Sequence, residues 1–127
     1  MQSPDGRPIY LDLKNIRLPM PGIISIMHRI FGALLSLSIP FFTYLFTLSL
    51  EDQAGFEQAR SILSSNLLMP LFLLLIWGFV HHLFAGIRYL LIDVEVGVER
   101  KASYKSSQVV FYAAIVVTLI IAWGIWL

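Results

Sequence analysis

The stretch Val80–Asp93, VHHLFAGIRYLLID, sets His81, His82 and Arg88 inside an apolar run. Polar side chains at that depth in a bilayer are costly, turn toward protein or cavity rather than lipid, and mark sites of chemistry. His82 shares a helical face with Gly86, Tyr89 and Asp93, at offsets of four, seven and eleven residues. Eleven residues correspond to about 16 Å of helix, which puts His82 near the bilayer midplane. A glycine one turn on leaves flat space beside the imidazole, suited to a planar macrocycle with His82 as axial ligand to its iron. The alternative is a histidine hydrogen-bonded to a neighbouring helix. His81 points about 100° away, so the two cannot ligate one iron, and a structural role is favoured for it.

A second polar group, Ser25, His28 and Arg29, lies near the start of the first apolar run. Counted from Pro21, His28 is about 10 Å deep, one helical turn shallower than His82, too far from level to be the opposite axial ligand. An imidazole and a cation at that depth suit haem propionates or a quinone carbonyl. Ser25 precedes Arg29 by four residues, so hydroxyl and guanidinium share a face and together can bind a polar ligand at the membrane surface. For Arg29 the competing role is snorkelling to the interface. For Arg88 snorkelling, a propionate or an acidic partner are the options, while Asp93 marks the helix end and Tyr89 either donates a hydrogen bond or joins an aromatic belt.

The elements that must position these groups are membrane spans. Of 127 residues, 57% are hydrophobic, and the mean hydropathy is +0.77. With no cysteine there is no disulfide framework, thiolate metal site or iron–sulfur cluster, which leaves histidine to hold any metal. A net charge of +1 gives no case for nucleic acid. Residues 1–20 read as a polar arm punctuated by Pro4, Pro8 and Pro19, unlike a signal or transit peptide. Residues 21–127 read as an all-α anchor of three transmembrane helices, with spans at about 22–50, 65–92 and 108–127. Ile30–Leu50 alone holds 21 residues without a charge, about 31 Å of helix. Pro40 is a candidate kink, and GFEQARSIL a brief interfacial helix.

Eight Lys or Arg residues fall on one side of these spans: Arg7, Lys14, Arg17, Arg29, Arg88, Arg100, Lys101 and Lys105. Only Arg60 falls on the other. The bias puts the N-terminus in the cytoplasm and the C-terminus in the periplasm, with Trp123 and Trp126 in the outer aromatic belt. Three spans leave a face for a partner, and Gly22, Ser25, Arg29, Gly32 and Ser36 form a small-residue seam for close contact.

At these residues the sequence resembles the large, cytochrome b-binding membrane anchor subunits of succinate dehydrogenase, respiratory complex II. Arg7-Pro8-Ile9, Leu13 and Ser25-Ile26-Met27-His28-Arg29 carry the first motif; His82, Gly86-Ile87-Arg88 and Asp93 carry the second. The first loop adds Phe56-Glu57-Gln58-Ala59. The resemblance implies that His82 ligates the iron of haem b, the opposite ligand coming from a second, smaller anchor subunit. It implies that Ser25 and Arg29 line the ubiquinone site beside the iron–sulfur subunit, and that His28 and Arg29 approach the haem propionates. Flavin and iron–sulfur clusters would reside only in partner subunits, and the setting would be a bacterial inner membrane. Phe31 stands where the family has Ser or Thr, and Tyr89 where it has His or Phe; Ile92 and Glu95 also depart around Asp93. A quinol:fumarate reductase anchor and a haem-free assembly or scaffold protein are the competing functions. A self-contained di-haem cytochrome would need four histidines, and the chain has three.

Overall fold

The computed structural model describes residues 17–126, and helix is the regular structure it forms over them. Four helices follow in order: α1 (Met20–Glu51), α2 (Gln53–Leu63), α3 (Met69–Asp93) and α4 (Arg100–Trp126). Three of them, α1, α3 and α4, are long and apolar enough to cross a membrane. Arg7, Lys14 and the Arg7-Pro8-Ile9 and Leu13 parts of the first motif lie outside the described residues, as does the side chain of Trp126. Trp123 is exposed near the end of α4.

Proline starts two of the spans. Pro21 and Pro70 sit in the first turns of α1 and α3, where a missing N–H costs nothing and the fixed φ favours helix. α1 runs on through Pro40, whose ring removes one internal hydrogen bond. Hydroxyls on this helix fold back on it: Ser38 donates to the Leu35 carbonyl at 2.7 Å and Thr47 to the Thr43 carbonyl at 3.0 Å.

α2 is the short helix expected at GFEQARSIL, begun two residues earlier. The Asp52 carboxylate caps it by accepting from the Gly55 N–H at 2.7 Å. Gly55 is forced by packing, since a Cβ there would collide with the Leu48 carbonyl oxygen of α1.

α3 ends in paired bonds from the Glu95 N–H to the Ile92 carbonyl (2.9 Å) and from the Val96 N–H to the Leu91 carbonyl (2.8 Å). This is a Schellman cap, and its left-handed position is held by Glu95 at φ 63° rather than by glycine. The turn continues through Gly97 at φ 77° into α4. α4 starts at Arg100, well ahead of the uncharged run expected from 108, because a helix continues beyond the hydrocarbon core into the polar interface. Arg100, Lys101 and Lys105 therefore sit on its first turns and not in a loop.

Ile24 of α1, Ala85 of α3 and Val110 of α4 meet in a buried cluster that joins the three spans. Small residues permit the close approach. Ser107, Ala114 and Thr118 are buried along one face of α4, and Ala85 is fully buried on α3. Gly78 accommodates Phe31, whose Cδ1 lies 2.8 Å from where a Cβ would stand. The seam expected on α1 divides differently: Gly32 faces α3, whereas Arg29 and Ser36 remain exposed.

Candidate functional site

His82 projects from the middle of α3 toward α1, half-buried. Its Nδ1–H donates to the backbone carbonyl of His28 at 3.1 Å. That bond fixes the tautomer and leaves Nε2 with a free lone pair, the arrangement found for metal-bound imidazoles. Gly32 makes room for the ring, because a Cβ on it would come within 2.8 Å of His82 Cε1. His82 also lines an apolar cavity of about 900 Å³ between the spans, together with Gly32, Ser36, Phe42, Phe72 and Phe79 among others.

The His28 ring lies parallel to that of His82, with centroids 4.0 Å apart and planes 4° from coplanar. This overturns the one-turn difference in depth read from the sequence. Depth counted along two helices from separately assumed ends accumulates error, and α1 and α3 bring the rings level. His28 is still unsuited to be the second axial ligand, because the two rings oppose faces, whereas axial ligands oppose nitrogens across an iron. The space beside Gly86 is bounded by His28, whose Nε2 would lie 3.6 Å from a Cβ at that glycine.

Next to His28 in the chain, Arg29 donates through Nη2 to Ser25 Oγ, one turn earlier, at 3.1 Å. Guanidinium and hydroxyl share a face, with Arg29 exposed and Ser25 half-buried at the N-terminal end of α1. The pair offers a positive charge and a hydroxyl at one edge of the spans.

Of the roles read for Arg88, neither snorkelling nor an acidic partner is found among the described residues. It is 6% exposed, which excludes snorkelling within this fold. Its Nε–H donates to Ser106 Oγ at 2.9 Å, and Nη2 donates to Ser103 Oγ at 2.8 Å and to the Ser103 carbonyl at 3.1 Å. Its guanidinium carbon stands 5.4 Å from the centroid of the Tyr89 ring, which meets His28 edge-on at 5.2 Å. The Tyr89 hydroxyl is buried with no partner among the described residues. Asp93 closes α3, as expected.

His81 is fully buried against Phe31, 5.4 Å between centroids, and Trp77, 6.5 Å. Neither of its ring nitrogens has a hydrogen-bond partner of good geometry among the described residues, although the Ile24 backbone of α1 lies in reach of the ring. His81 and His82 thus point to different surroundings, as their helical phase requires.

Gly32, Ser103 and Ser106 join the site without a chemical signature of their own. Gly32 was visible only as one member of a small-residue stripe, and the two serines only as polar residues beside basic ones.

A family model described as succinate dehydrogenase/fumarate reductase transmembrane subunit matches residues 3–121. The chain is 31% identical over 115 residues to the succinate dehydrogenase cytochrome b556 subunit of Paracoccus denitrificans, covering 91% of this chain and 88% of that one. It is 33% identical over 125 residues to the subunit of the same name from Coxiella burnetii, covering 95% and 96%. A succinate dehydrogenase cytochrome b560 subunit from Reclinomonas americana is 30% identical over 123 residues, 93% and 85% of the two chains. With its three spans and these matches over most of its length, the chain belongs to the succinate dehydrogenase/fumarate reductase transmembrane subunit family.

Proposed function

We propose that this chain is the membrane anchor of a succinate:ubiquinone oxidoreductase, holding one side of a haem b and part of the quinone site. The observation that carries the reading is the bond from His82 to the His28 carbonyl. It commits Nδ1 to the proton, leaves Nε2 as the nitrogen for a metal, and ties the candidate ligand to the helix bearing Arg29 and Ser25. The three relatives named above all carry succinate dehydrogenase in their names, which favours this direction over quinol:fumarate reduction.

His82 would hold the iron through Nε2, Gly32 would keep its ring seated, and a second, smaller anchor subunit would supply the opposite ligand. His28 and Arg29 would lie toward the propionates. Bound haem b supplies a one-electron carrier. At the quinone site, the Arg29 charge and the Ser25 hydroxyl stabilise negative charge developing on a quinone oxygen during reduction. Flavin and iron–sulfur clusters belong to two soluble partners, a flavoprotein and an iron–sulfur subunit, the latter docked at the cytoplasmic face. The setting is a bacterial inner membrane, with the N-terminus cytoplasmic and the C-terminus periplasmic.

The test is a split between two activities of the purified complex. Arg29→Ala should lower succinate-driven quinone reduction by roughly hundredfold to thousandfold, the scale of losing a charge-stabilising donor. Succinate oxidation with a soluble artificial acceptor should persist. Unchanged quinone reduction would remove Arg29 from the site, and equal loss of both activities would show failed assembly.

A further inference from the structure

Arg88 is a cation in the interior of a membrane protein, and among the described residues no carboxylate lies within ion-pair distance of it. Such a charge is expensive to bury and persists where fixed dipoles solvate it and a nearby group benefits. Two serine hydroxyls and one carbonyl of α4 supply those dipoles by accepting from it. Those bonds prevent the side chain from swinging out to the interface. From the guanidinium a chain of aromatic contacts runs inward, through Tyr89 at 5.4 Å, then His28 at 5.2 Å, then His82 at 4.0 Å.

We infer that Arg88 is a positioning residue whose buried positive charge, clamped by Ser103 and Ser106, raises the reduction potential of the one-electron carrier held at His82. The inference rests on the haem reading of His82. Reduction adds one negative charge beside His82, and a fixed cation in surroundings of low dielectric favours the reduced form. Arg29 is exposed and its field is screened by water and ions, whereas the field of Arg88 is not. The serine clamp also explains why α4 reaches back to Arg100: its first turns carry the groups that solvate the guanidinium.

The experiment is a redox titration of the haem absorbance in the purified whole complex. Arg88→Gln should lower the midpoint by about fivefold in the reduction equilibrium, ~40 mV for one electron, as expected for a unit charge at this range. Arg88→Lys keeps the charge and should keep most of the potential, whereas a purely structural clamp would be lost in both variants alike. A midpoint unchanged in Arg88→Gln overturns the inference, as does an equal shift in Arg88→Lys. If Arg88→Gln does not assemble, the double variant Ser103→Ala, Ser106→Ala decides: a lowered midpoint supports the inference and an unchanged one overturns it. A wild-type complex without haem, or a His82→Ala complex with an intact haem spectrum, would instead sink the underlying reading.

Discussion

The two adjacent histidines of α3 have opposite fates, and one residue of helical phase separates them. His82 reaches a cavity and a backbone carbonyl; His81 is walled in by Phe31 and Trp77. That division was readable from 100° per residue alone. The stacking of His28 on His82 was not, because it depends on the relative level of two helices, which no single-helix count supplies. Nor were the partners of Arg88 readable: Ser103 and Ser106 were assigned to a loop, where they would face water. Gly32 lends itself to a test at this scale. Gly32→Ala places a methyl 2.8 Å from His82 Cε1 and should displace the ring, costing on the order of 1–3 kcal/mol of stability and lowering haem content in proportion. Haem per complex, read from the reduced pyridine adduct, checks it; full occupancy would show that the ring has room to spare.

The three spans were legible because an uncharged run of about 20 residues has few other uses. Their ends were less so. Hydropathy marks the hydrocarbon core, while helices continue through the interface, so α4 begins with basic and hydroxyl residues that hydropathy excludes. The α2 helix was legible from FEQA and its flanks, and its Asp52 cap and Gly55 contact explain its position against α1. Two substitutions probe this level. Glu95→Gly relieves a left-handed residue in the α3 cap and should raise thermal stability in detergent by about 1 kcal/mol. Gly55→Ala forces α2 away from the Leu48 carbonyl and should lower that stability by on the order of 1–3 kcal/mol. Melting curves that rank the two in the opposite order would contradict the assigned contacts.

For the whole molecule, many large apolar side chains of the spans are exposed, among them Leu37, Phe46, Leu90, Leu119 and Trp123. In a membrane this surface meets lipid, with room for the helices of the proposed partner subunit. The proposed orientation rests on eight basic residues against one, and the absence of cysteine makes it directly measurable. In intact cells a membrane-impermeant maleimide should label Ser61→Cys, in α2 between the first two spans, and should spare Lys101→Cys until the membrane is permeabilised. The reverse pattern would invert the topology and move Arg29 away from the cytoplasmic face.

The central claim is that this chain gives one histidine to a haem iron, and that the histidine is His82. Low-temperature electron paramagnetic resonance of the oxidised, purified complex, compared across His28→Ala, His81→Ala and His82→Ala, tests it most directly. A low-spin bis-imidazole signal should be present in the unaltered complex, persist in the His28 and His81 variants, and disappear only in His82→Ala. Its survival in His82→Ala, or its loss in His81→Ala alone, would contradict the account.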